Sequence, residues 1–128
     1  MKVFLGSDHA GFGLKEVLEA ALGELGHEAV DLGTHSTESV DYPDFGHQVA
    51  EAVTANEGSL GVLVCGSGIG ISISANRHAG VRAALCHDPY SAEMARRHND
   101  ANVLCMGERV IGQGLARGFG RRGRLRLA

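Results

Sequence analysis

The chain has 128 residues, 44% of them hydrophobic, a formal net charge of −3 and three cysteines. That length suits one domain with a single core, and the start of the chain has neither a basic segment leading into an apolar one nor a run long enough to span a bilayer, so secretion and membrane insertion are not expected. Cys65, Cys86 and Cys105 are odd in number and form no C-x-x-C pair, which predicts free thiols in a reducing cytoplasm, and five arginines without an acid in residues 113–128 leave −8 on residues 1–112, which argues against nucleic-acid binding.

Lys2 to Gly6 reads as a first strand, followed by the turn Gly6-Ser7-Asp8-His9-Ala10-Gly11. Leu14, Val17, Leu18, Ala21, Leu22 and Leu25 recur at helical spacing and predict an amphipathic helix that stops near Gly26. His27 to Leu32 is a short second strand. Asp8 and His9 therefore fall at the C-terminal end of strand one, the edge on which open α/β sheets bind ligands. Asp8 serves equally well as a helix N-cap, and His9 taken alone is an ordinary loop histidine. Residues 33–41 form a polar loop, and Tyr42-Pro43-Asp44 starts a second helix with Phe45, Val49, Ala52 and Val53 on its apolar face.

Leu60 to Val64 looks like a buried parallel strand, broken at once by three glycines in five residues, Gly66, Gly68 and Gly70. Such a turn exposes backbone N–H donors to an anion, and a helix starting there adds partial positive charge. Cys65 ends the strand facing that turn, which makes its thiol a candidate base or nucleophile, although a lone strand cysteine is more often structural. The turn is not a dinucleotide fingerprint, because Ile71 stands where the third glycine belongs, and no Gly-Lys-Ser/Thr follows to make a P-loop. Ile69, Ile71 and Ile73 alternate with Gly70, Ser72 and Ser74, a strand signal; a helix is expected because a second strand would need a hairpin that has no polar turn residues.

Val81 to Cys86 reads as a fourth strand, with Asp88 as N-cap and Pro89 as first residue of a helix that carries Met94 inward. That helix ends in Arg96-Arg97-His98-Asn99-Asp100, more polar than a helix end requires. Ala101 to Met106 is a fifth strand, leading into Gly107-Glu108-Arg109-Val110. Strands alternating with helices predict a three-layer αβα sandwich around a five-stranded parallel, Rossmann-like sheet. Chemistry is expected where strands one, three and five end, joined by the polar end of the fourth helix.

Five linked motifs carry a resemblance: Gly6-Ser-Asp8-His9-Ala-Gly11, Asp41-Tyr-Pro43, Cys65-Gly-Ser-Gly-Ile-Gly70-Ile-Ser with Ala75-Asn76-Arg77, Arg97-His98-Asn99-Asp100-Ala-Asn102-Val-Leu, and Met106-Gly-Glu-Arg109-Val. From Met1 to about Gly114 the chain resembles the sugar-phosphate isomerases of the ribose-5-phosphate isomerase B and lactose-pathway galactose-6-phosphate isomerase family. The resemblance implies interconversion of ribose 5-phosphate and ribulose 5-phosphate without metal or cofactor, in a cytoplasmic homodimer or dimer of dimers, with no nucleic-acid or membrane partner. It implies Cys65 as the base that moves a proton between C1 and C2, which points away from the galactose-6-phosphate subunits. It also implies His98 as the ring-opening group and Asp8 as a sugar-orienting residue. Asn99 and the amides from Gly66 through Gly68 and Ile69 to Gly70 would hold the enediolate oxygens, Ser67 would shuttle a proton between O1 and O2, and His9 and Arg109 would bind phosphate.

General chemistry agrees with those roles. An enediolate path needs a base, donors aimed at the developing oxyanion and a second acid/base to open the ring, while the phosphate serves as a remote handle. No paired-ligand spacing favours a metal. A six-carbon sugar phosphate such as allose 6-phosphate, or a catalytically weak sugar-phosphate binder, remain alternatives. The isomerase domain is expected over 1–112. Residues 113–128, with four glycines, depart from the family's last helix, as a truncated or out-of-frame terminus would, and no family role is carried onto Arg121, Arg122 or Arg124.

Overall fold

The computed structural model describes residues 1–112, which form a five-stranded, wholly parallel sheet flanked by four α-helices. In chain order these are β1 (Lys2–Ser7), α1 (Phe12–Glu24), β2 (Glu28–Asp31), α2 (Tyr42–Ala55), β3 (Leu60–Cys65), α3 (Ile69–Asn76), β4 (Ala83–Leu85), α4 (Pro89–Asn99) and β5 (Val103–Gly107), with a single 3-10 turn at His9–Gly11. The expected αβα sandwich is present, and the expected tail over 113–128 lies outside the described residues. Among the described residues no helix is long and apolar enough to cross a membrane.

The strand order is β2-β1-β3-β5-β4. The chain leaves β1 toward β2 and then returns to build the other side from β3, so connections diverge at β1 and β3 and open a crevice above their C-terminal ends. A second reversal follows, because β4 is laid at the edge and β5 returns between it and β3.

Each face of the sheet has its own core. Val3, Leu5, Val62, Val64 and Leu104 meet α1 and α4 on one side; Phe4, Leu63, Val103 and Cys105 meet α2 and α3 on the other. Strands covered on both faces must be apolar at successive positions, which is why all six residues of β3 are buried. On α1 the buried stripe is Leu14, Lys15, Leu18 and Leu22, so a lysine takes the place expected for Val17. Its ammonium lies 2.6 Å from Asp31 Oδ2 and 5.3 Å from the Phe12 ring centroid. Burial of Asp31 opposes its charge, yet the Lys15 hydrogen bond, the Gly33 N–H at 2.9 Å and the Lys15 charge outweigh it and hold the carboxyl below its ordinary range.

Local signals placed the helix starts well. Asp88 accepts from Ser91 N at 2.7 Å with Pro89 in the first turn, as an N-cap should. On the same helix Ala92 is buried, whereas Met94, expected inward, is only half-buried. β4 is shorter than its apolar run because side chains replace its strand partners: Asn76 bonds both Ala83 N and Ala83 O, and Asn102 accepts from Arg82 N. These amides occupy backbone groups at an edge that would otherwise stand open.

Candidate active site

Three strand exits align above the crevice, since pairing sets Ser7 beside Val64 and Cys65 beside Gly107. Cys65 is 5% exposed, and its sulfur accepts from Gly68 N at 3.1 Å. Gly68 has φ of +80°, and a Cβ there would stand 2.7 Å from the Met106 carbonyl carbon, so both conformation and space require glycine. α3 begins directly after it, as expected; the apparent strand alternation resolves into a helix with Ile71, Ser72 and Ala75 inward and Ile69 and Ile73 more than half exposed.

The turn's amides are not all available to a ligand. Gly68 N is engaged by Cys65 and Ile69 N by Ser67 Oγ at 3.2 Å, while the N–H groups of Gly66, Ser67 and Gly70 have no protein acceptor among the described residues. The other two cysteines differ from Cys65. Burial pushes the Cys105 thiol far up, with Cys65 and Cys86 adding to the effect, and burial followed by the Asp88 charge raises Cys86. Both are structural thiols.

A cleft of 550 Å³ unites the expected residues Asp8, His9, Cys65, Gly66, Ser67, Ile69, Gly70 and Arg109. Asp8 lines the cleft, and its Oδ1 accepts from Gly11 N at 3.1 Å, which caps the 3-10 turn ahead of α1. His9 Nδ1 accepts from Val40 N at 3.1 Å, which leaves the proton of the neutral ring on Nε2 as a donor. Arg109 reaches over the turn: a Cβ on Gly66 would lie 3.1 Å from its Nη1, and its N–H donates to Gly66 O at 3.1 Å. Sequence reasoning missed Tyr42 as a cleft wall, though the Asp41-Tyr-Pro43 motif contained it. Its ring rests on α3 where a Cβ at Gly70 would come within 2.6 Å.

His98 and Asn99 are not part of this cleft in their own chain. α4 runs antiparallel to the strands, so its last turn comes down beside the start of β5, where Asn102 O accepts from Gly61 N at 2.9 Å and Arg82 Nε donates to Asn99 O. Cys65 sits at the far end of β3, four residues beyond Gly61, roughly 13 Å away at strand rise. His98 and Asn99 are both exposed there. The expectation that the polar end of the fourth helix joins the strand exits thus fails within one chain, because helix direction is set by the parallel crossover.

Among the described residues, Glu16, Glu19 and Asp31 alone offer three groups close enough for a metal ion. The Lys15 ammonium already contacts Glu16 and Asp31, and burial together with the Asp31 charge raises the Glu19 carboxyl, so this cluster is neutralised by the protein itself.

The family described as Ribose/Galactose Isomerase matches residues 3–121. Ribose-5-phosphate isomerase B of Escherichia coli is 52% identical over 116 residues, covering 91% of this chain and 78% of that one. A putative sugar phosphate isomerase of Bacillus subtilis is 51% identical over 118 residues, 91% of this chain and 79% of the other. Among solved structures, ribose-5-phosphate isomerase B of Clostridium thermocellum superposes with a TM-score of 0.89 at 54% identity, over 91% of this chain and 78% of that chain.

Proposed function

The chain belongs to the ribose/galactose isomerase family, and from that premise we propose that it is a cytoplasmic aldose–ketose isomerase that interconverts ribose 5-phosphate and ribulose 5-phosphate with Cys65 as base. The observation that carries this reading is the Cys65 sulfur, bonded by Gly68 N at 3.1 Å in a cleft that also holds His9 and Arg109. His9 Nε2–H and the Arg109 guanidinium bind the phosphate, and Asp8 and Tyr42 orient the sugar between them. The deprotonated Cys65 sulfur takes the proton from C2 of the open-chain aldose, and charge develops on the carbonyl oxygen at C1, which the Gly66, Ser67 and Gly70 amides stabilise. The proton then returns to C1, while Ser67, whose Oγ already accepts from Ile69 N, passes the O2 proton to O1. No step of this path calls for a metal.

The furanose ring must open first, and His98 is the group we assign to that step, with Asn99 beside it. Since both lie at the opposite edge of their own chain, they act from a second copy, in a homodimer or dimer of dimers. The exposed Ile69 and Val110 at the cleft, with exposed Ile73 one turn further along α3, provide apolar surface for that contact.

Ketose formation from ribose 5-phosphate and from allose 6-phosphate, followed with chelator present, tests the reading. Turnover on ribose 5-phosphate is expected, and Cys65→Ala should lower it about a hundredfold with little change in KM, as loss of a general base does. Preference for allose 6-phosphate would replace the substrate, and near-normal turnover of Cys65→Ala would return Cys65 to a core role.

A further inference from the structure

The start of α1 has no cap of its own: Gly11 precedes it and no acid stands in its first turn. The acceptor comes instead from 94 residues away, where Glu108 Oε1 receives the N–H of Leu14, the third residue of α1, at 2.5 Å. Gly13 makes room for it, since a Cβ there would lie 2.9 Å from the same oxygen. Such a carboxylate satisfies an orphan helix donor and complements the helix dipole. Its position links two segments that carry the site. One is the 3-10 turn His9–Gly11, which runs directly into α1. The other is the turn after β5, where Glu108 N donates to Cys65 O at 2.9 Å and the next residue is Arg109.

We propose that Glu108 is a positioning residue for the phosphate subsite, setting the spacing between His9 and Arg109 by clamping the α1 N-terminus to the β5 exit. The inference rests on the sugar-phosphate reading above. Glu108 touches no substrate. It acts through His9 and Arg109, which lie on separate segments that no side-chain bond joins except this one among the described residues. A Gln side chain retains an acceptor oxygen there and an Ala side chain does not, so conservative rescue separates positioning from bulk packing.

The test measures KM and kcat for ribose 5-phosphate, and calorimetric affinity for inorganic phosphate, in the full chain and in Glu108→Ala, Glu108→Gln and Gly13→Ala. Glu108→Ala should raise KM and weaken phosphate binding about tenfold, the scale of one lost charge-assisted hydrogen bond, with kcat within about twofold and Glu108→Gln recovering most of the loss. Gly13→Ala improves helix propensity yet displaces the carboxylate, so it should raise KM even where it raises the melting temperature. Should Glu108→Ala fail to fold, Gly13→Ala alone decides. Melting temperatures that fall while KM and phosphate affinity stay unchanged would overturn the proposal, as would a Gln variant no better than Ala. An unmodified chain that binds phosphate but does not isomerise would instead sink the isomerase reading, and the phosphate affinities would still decide the role of Glu108.

Discussion

Two clefts of similar size open at opposite edges of the sheet, 550 Å³ above the strand exits and 520 Å³ beneath, near Arg82, Arg96 and Asp100. Below, polar groups answer one another: Arg96 binds Asp100 Oδ1 at 2.6 Å and Ala101 O at 3.2 Å, Arg82 binds Asn99 O, and Asn102 bonds both Arg82 N and Gly80 O. Above, the Arg109 guanidinium, His9 Nε2 and the Gly66 and Gly70 amides have no protein partner among the described residues. Volume therefore does not distinguish the two clefts; the thiol and the turn amides do. Of the two, only the upper one contains a thiol held by a backbone N–H beside glycine-turn amides that have no protein acceptor among the described residues.

The strongest way to break this contrast is at Gly107. A Cβ there would stand 2.5 Å from the Ser67 carbonyl, where backbone cannot yield, so Gly107→Ala should cost about 3 kcal/mol and remove isomerisation altogether. A denaturant melt with unchanged midpoint would show that the β5 exit and the glycine turn do not bear on each other.

His98 sharpens the comparison from the other edge. It is exposed, so His98→Asn should change stability by less than about 0.5 kcal/mol. Turnover of the cyclic sugar should nonetheless fall about a hundredfold, more than for substrate supplied in open-chain form. If the histidine acts across subunits, mixing His98→Asn with Cys65→Ala chains under exchange restores part of the activity, because each mixed dimer has one site with both groups intact. No recovery in mixtures shown to contain mixed dimers would falsify that assignment.

The smallest expected effect is on the acid side of stability. Asp31 has its folded-state pKa below the unfolded one, so its contribution is complete above the ordinary carboxylate range and is lost as pH falls through the lowered folded value. Melting temperature against pH should therefore drop more steeply on the acid side for the unmodified chain than for Asp31→Asn. Parallel curves would mean that Lys15 and Gly33 do not hold the carboxylate charged.

What could be read in the residues was local. Asp88-Pro89 marks a helix start because the cap and the fixed φ of proline act within three residues, and the run from Leu60 to Cys65 announces a doubly covered strand because each position must be apolar. The Cys65-to-Gly70 turn was legible for the same reason, since glycine needs no distant partner to expose amides. The five motifs supplied the family and eight cleft residues together. Tertiary structure decided what depends on distant groups meeting. Lys15 is buried because Asp31, sixteen residues on, neutralises it, against the usual exposure of lysine. Glu108 caps α1 through the N–H of Leu14, 94 residues earlier in the chain. β5 lies between β3 and β4 although it follows both in the chain, and the direction this gives α4 sends His98 to the edge away from Cys65. Short-range propensities carry no record of which strand neighbours which; that is settled by how two apolar faces and a few long-range polar bonds can all be satisfied at once.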